Sequence, residues 1–271
     1  MQRIDRLPLV LTSFAYRSEY FPELDGMIES VRQHHPGWLL VTGRGPVPNT
    51  DSPTLAVESP TGALHWKLPV PLDLDGSEND WLRIVRMKAW WVARVWYEFG
   101  NLSGPHRKRL VWLDADARFT GSLDIMFDPT AELIAGPWGG AEGTVDDHVC
   151  SGFLLFQGHA KGVVESVIDQ WSTICLGYIQ SPPPPSPIWP YGQGDQEVLT
   201  TVLRSQLRSG AQFTLAKLDY DKYCGELNYK DGTSKPGALI DQRKMIERMR
   251  YPKDRNRAWP PPEPSKQRGA S

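Results

Sequence analysis

Apolar residues along this chain alternate between short continuous runs and stretches with helical spacing. The run at 7–13 reads as a buried strand, because consecutive apolar residues need both faces covered. Tyr20, Leu24, Met27, Ile28 and Val31 then recur at helical spacing, and His34-His35-Pro36-Gly37 stops that helix. The two histidines read as a solvated helix end, since neighbours on a helix point different ways. Residues 38–42 form a second strand pattern, which makes a strand–helix–strand start of the kind that builds a parallel α/β sheet.

Residues 43–76 are rich in Gly, Pro, Asp and Ser and read as long loops around one short strand near Leu55-Ala56-Val57. Asp80 can cap a second helix that runs to about Phe99, with Ile84, Val85, Trp91, Val92, Val95, Trp96 and Phe99 as its apolar set. Leu110 to Leu113 is a buried strand. After it, Ser122 can cap a short helix, 134–136 is a brief strand, and 149–156 is a strand interrupted by small residues. A helix covers about 161–176. A stiff proline segment at 182–187 precedes another helix, which Asp195 can cap and which reaches about Leu207. We read one domain over 1–250 and a Pro-rich, charged, mobile tail over 251–271. The fold class is α/β, a mixed, mainly parallel Rossmann-type sheet flanked by helices.

Composition narrows the function classes. A 40% hydrophobic fraction and 11 Trp across 271 residues supply a sizeable core, and a net charge of −2 gives no global case for nucleic-acid binding. Local basic clusters exist at Arg83, Arg86 and Lys88, and at Arg107, Lys108 and Arg109. Cys150, Cys175 and Cys224 make no paired motif and read as reduced thiols of a cytoplasmic protein. No segment approaches a membrane span of about 20 apolar residues, so no membrane partner is expected.

The chemistry starts where the Leu110 strand ends, at Asp114-Ala115-Asp116. Ligands in open α/β sheets bind outside the carboxyl ends of strands. Two carboxylates this close repel unless a cation lies between them, and carboxylate oxygens suit Mg²⁺ or Mn²⁺ bridging protein to phosphates. The pair therefore reads as a metal–diphosphate site, against the simpler reading of a strand-end turn.

Three segments in order, Leu110-Val111-Trp112-Leu113-Asp114-Ala115-Asp116, Cys150-Ser151-Gly152-Phe153-Leu154-Leu155-Phe156 and Gly194-Asp195-Gln196-Glu197-Val198-Leu199, resemble the motifs of GT-A-fold glycosyltransferases. The likeness is nearest to the glycogenin and lipopolysaccharide galactosyltransferase group, and it covers about residues 7–230. The resemblance implies a transferase that uses a nucleotide-sugar, a UDP-sugar first, with Mn²⁺ or Mg²⁺. Carried over, Asp114 and Asp116 hold the metal. Thr12, Ser13 and Tyr16 lie where such enzymes hold the nucleoside, and Tyr16 or Tyr20 either stacks on the base or packs on the sheet. Arg86 and Lys88 either reach the donor or lie on a solvated helix face. Ser151 and Gly152 line the donor sugar. Asp195 and Gln196 line the acceptor side, and Asp195 can cap its helix as well.

That group takes a third metal ligand from a late histidine, whereas this chain has no His after His159; Asp219, Asp221, Asn228 or water would take that place. The acceptor is a saccharide or a hydroxymethylated DNA base, and Trp66, Trp138 and Trp189 suit stacking on either. Two other readings compete. One is a haloacid dehalogenase-like phosphatase using the Asp114/Asp116 pair. The other is a non-catalytic nucleotide-sugar-binding module.

Overall fold

The computed structural model describes residues 2–3, 9–16, 20–45, 54–59, 62–67, 80–103, 108–123, 126–127, 130–135, 149–158, 162–185, 192–210, 213–218 and 240–241. In chain order the elements are β1 (Gln2–Arg3), β2 (Val10–Tyr16), α1 (Phe21–His34), β3 (Leu39–Gly45), β4 (Thr54–Ser59), β5 (Gly62–Lys67) and α2 (Asp80–Phe99). A 3₁₀ turn at Gly100–Ser103 leads to β6 (Arg109–Leu113), β7 (Arg118–Phe119), β8 (Met126–Phe127), β9 (Leu133–Ala135) and β10 (Phe153–Gln157). The chain continues through α3 (Val163–Gln180), α4 (Asp195–Arg208), β11 (Leu215–Lys217) and β12 (Ile240–Asp241).

One eight-stranded sheet in the order β11-β9-β10-β6-β2-β3-β4-β5 dominates. β2 is parallel to both β3 and β6, and β9 is parallel to β11. β10 is antiparallel to β6 and β9, and β4 is antiparallel to β3 and β5. The strands β2, β3, β5, β6, β9 and β11 thus run one way and β4 and β10 the other: a mixed, mainly parallel sheet. The chain leaves β2 to form β3 on one side and returns to form β6 on the other. That reversal opens a crevice at the carboxyl ends of β2 and β6.

Alternation along the central strands divides the core in two. Val10, Leu110 and Trp112 face α2, α3 and α4, where Val92, Trp96, Trp171 and Leu199 pack. Leu11, Ala15, Val111 and Leu113 face α1, against Leu24, Met27, Ile28 and Val31. Three helices therefore cover one face and α1 the other.

The structure changes several expectations. The first strand runs on to Tyr16, so Phe14, Ala15 and Tyr16 belong to it. The loop-rich stretch holds a β4–β5 hairpin rather than one short strand. Its Gly and Pro content masked the second strand. No helix follows Ser122 among the described residues; Met126 and Phe127 instead pair antiparallel with Arg3 and Gln2. The small-residue segment before Phe153 lies outside β10, which begins at Phe153. His35 is not a solvated helix end. It is 3% exposed, its ring stacks on Trp38 at 3.9 Å, and its Nε2 accepts the Leu123 N–H. Arg107, Trp138, Trp189, Asp219, Asp221, Cys224, Asn228 and the tail 251–271 lie outside the described residues. No helix among the described residues is long and apolar enough to cross a membrane.

Candidate active site at the carboxyl ends of β2 and β6

Asp114 directly follows β6, and its backbone closes a tight turn. Its carbonyl accepts the Ala117 N–H at 2.9 Å, and its own N–H donates to the Gly152 carbonyl at 3.0 Å. An aspartate at the first position of such a turn is favoured locally. The turn carries Ala115 and Asp116 with it, so both carboxylates sit at the sheet edge. The Gly152 bond also ties the start of β10 to the end of β6, which brings Ser151 to the same edge.

Lys88 links these parts. It projects from α2 and is 7% exposed. Its Nζ lies 3.0 Å from Asp114 Oδ1 and 2.9 Å from Asp195 Oδ2, and it donates to Ser151 Oγ at 2.9 Å. Ser151 Oγ donates in turn to Asp195 Oδ2 at 2.6 Å. Burial works against the Lys88 charge, but the Asp114 and Asp195 carboxylates outweigh it and hold the ammonium above its ordinary range. Trp112 adds two contacts. Its Nε1 donates to Asp114 Oδ1 at 2.8 Å, and its ring lies 5.3 Å from Lys88 Nζ.

Asp195 is not the cap of α4. Gly194 occupies that position, and its N–H donates to Glu197 Oε2 at 2.7 Å. The Asp195 carboxylate is thereby released for Lys88 and Ser151, while its carbonyl accepts Trp171 Nε1–H at 2.9 Å. Gln196 Oε1 accepts the Ser151 N–H at 3.1 Å, and Thr200 Oγ1 accepts the Val149 N–H at 2.8 Å. The first turn and a half of α4 is thus stitched to the segment that carries Ser151.

Of the residues singled out in the sequence, the structure brings together Lys88, Asp114, Ser151, Gly152, Asp195 and Gln196, with Ala115 and Asp116 in the adjoining turn. Thr12, Ser13 and Tyr16 are placed differently. Thr12 Oγ1 donates to the Val41 carbonyl and accepts Trp91 Nε1–H, both at 2.7 Å, so its hydroxyl is spent inside the fold. Ser13 is fully buried in β2. Tyr16 is buried with Met87 and Ile179, and Tyr20 packs against the α1 core. Arg86 is buried rather than on a solvated helix face. Beneath the site, burial foremost and then Asp195 push the Cys175 thiol well up, leaving it protonated.

Sequence reasoning missed Trp112 and Trp171. Trp112 carried a readable signal: two positions before Asp114 on a strand, it shares that residue's face. Trp171 carried none, since its partner is a backbone carbonyl from another helix.

Asp114 and Asp116 are the residues here that suit a divalent ion. Both bonds to Asp114 fall on Oδ1, and no group of three or more His, Cys, Asp or Glu fit to hold a metal occurs among the described residues. Two hard carboxylates are too few for an all-protein cage. They suit Mg²⁺ or Mn²⁺, which complete their shells with water and phosphate oxygens.

No protein-family profile and no curated protein sequence matches this chain. Among solved structures it is similar to the glycosyltransferase GlyE of Streptococcus pneumoniae TIGR4, at 13% identity and a TM-score of 0.45 over 88% of this chain. It is similar also to the apo-form of GlyE, at 12% identity and a TM-score of 0.46 over the same share. The chain spans 55% of the length of each.

Proposed function

We propose that this chain is a metal-dependent glycosyltransferase, moving a sugar from a nucleoside diphosphate donor to a hydroxyl acceptor. The observation that carries the reading is the convergence of Asp114, Lys88, Ser151 and Asp195 within hydrogen-bond distance at the crevice, beside the turn that carries Asp116. A carboxylate pair on a strand end suits an ion and its diphosphate. Lys88 and Ser151 hold the Asp195 carboxylate through Oδ2, which leaves Oδ1 as an acceptor for a sugar hydroxyl.

Asp114 and Asp116 would hold Mn²⁺ or Mg²⁺, which supplies positive charge to the departing diphosphate. Lys88 places a further fixed positive charge beside Asp114, and its buried setting strengthens that field. Asp195 and Ser151 are held in one geometry by Lys88 and by each other, so they bind without paying for reorganisation. Gln196 fixes the Ser151 backbone. UDP-sugars are the first donors to try, and the acceptor is a saccharide or a hydroxymethylated DNA base. Salt separates the two acceptors, because only a row of phosphates gives binding that falls steeply with ionic strength.

Hydrolysis of a UDP-sugar panel, with and without EDTA, tests the reading. EDTA should abolish turnover, Mn²⁺ should restore it, and Asp116→Asn should lower it about a hundredfold or more. Full turnover in EDTA overturns the proposal.

A further inference from the structure

Arg86 precedes Lys88 by two residues on α2 and is 2% exposed. None of its described bonds enters the crevice. Its Nε donates to the Gln193 carbonyl at 2.9 Å, and its Nη1 to the Tyr178 carbonyl at 2.8 Å. The guanidinium carbon lies 5.7 Å from the centre of the Tyr178 ring. Nη2 is buried without a hydrogen-bond partner among the described residues.

Gly192, at φ +93°, lies beside this group: a Cβ there would stand 3.6 Å from Nη2. Its left-handed backbone turns the chain into Gln193 and so into α4. Gln193 and Asp195 are two residues apart, as Arg86 and Lys88 are. α2 therefore grips the start of α4 at two points, the Gln193 carbonyl through Arg86 and the Asp195 carboxylate through Lys88. The C-terminal turn of α3 is the third body in the clamp, through Tyr178. A rigid planar fork fixes the spacing and angle between the two carbonyls it holds, which a lysine's freely rotating ammonium does not. An apolar side chain would fill the same space and leave no buried donor unsatisfied, so packing alone does not call for arginine.

We infer that Arg86 is a positioning residue for the sugar end of the site, setting through the Gln193 carbonyl how far Asp195 and Gln196 reach toward Ser151. Its kinetic consequence rests on the function proposed above; its structural consequence does not.

A double-mutant cycle over Arg86→Lys and Asp195→Asn tests it, read as UDP-sugar hydrolysis beside the ¹H–¹⁵N signal of the Lys88 ammonium. Arg86→Lys should lower kcat at least tenfold and change the donor KM less than threefold. In the Asp195→Asn background the same change should alter kcat less than twofold, because the group it positions is gone. The Lys88 signal should shift or broaden in Arg86→Lys while the melting temperature stays within a few degrees. Equal losses in both backgrounds, a tenfold rise in KM at unchanged kcat, or an unmoved Lys88 signal overturns the inference. Arg86→Gln, which keeps one amide donor for Gln193, takes the place of Arg86→Lys if the latter does not fold. If the unsubstituted protein hydrolyses no nucleotide-sugar, the proposed function fails and the Lys88 signal alone decides the role of Arg86.

Discussion

Removing the Lys88 ammonium leaves Asp195, itself 5% exposed, with a buried negative charge and the Ser151 hydroxyl as its remaining side-chain partner. Breaking a buried pair from one side costs about 3–5 kcal/mol, because the surviving charge has lost its solvent and its partner alike. Lys88→Met should therefore lower the unfolding free energy of the metal-free protein, measured by urea denaturation, by that amount; a loss under about 1 kcal/mol would mean the pair is effectively solvated. The pH dependence has a definite sign. The Lys88 pKa is raised in the folded state by Asp114 and Asp195 against the opposing effect of burial, so its contribution is complete below the unfolded lysine value of about 10.4. It is lost as pH rises from there through the folded value. Stability of the metal-free protein should fall above that point, and Lys88→Met should lack this part of the fall. Asp114, Ser151 and Asp195 were legible because each sits in a short motif, and Lys88 because it stands in a local basic cluster. The burial of Arg86 and His35 was not, since a charged or polar residue on a helix gives no sign of which carbonyls or rings the fold will bring to it.

Along single elements, β3 shows how close packing fixes a residue type. A Cβ on Gly43 would lie 2.5 Å from Trp91 Cη2, and Trp91 cannot swing away without giving up its bond to Thr12 Oγ1. Gly43→Ala should cost about 1–3 kcal/mol by overpacking, read as a lowered denaturant midpoint at unchanged slope. At the start of α4, Glu197 rather than Asp195 closes the cap. Glu197→Ala should thus cost about 1 kcal/mol, whereas Asp195→Asn should keep the helix signal in circular dichroism while strongly lowering turnover. The long helices and the central strands were readable because their apolar periodicity runs over many residues. The β4–β5 hairpin was hidden by Gly and Pro around it. After Ser122 the described residues Met126 and Phe127 pair with the chain's third and second residues instead of continuing the capping signal into a helix.

Over the whole molecule, sheet order makes the site. β6 lies between β2 and β10, and its carboxyl end meets the start of its antiparallel neighbour β10 at Asp114. The parallel start was legible in the strand–helix–strand pattern, but the direction of β10 was not, because a buried apolar run reads the same either way. That antiparallel pairing is what carries Ser151 and Gly152 to the aspartate turn. In the function proposed here, this edge binds a divalent ion and a nucleoside diphosphate together. The measurement that tests it most directly is the melting temperature with UDP, with Mn²⁺, and with both, for the unsubstituted protein and for Asp116→Asn. A ligand that binds only the folded state raises the melting temperature in proportion to its binding. The shift with both ligands should exceed the sum of the separate shifts, and that excess should vanish in Asp116→Asn. Equal UDP shifts with and without Mn²⁺ would contradict it.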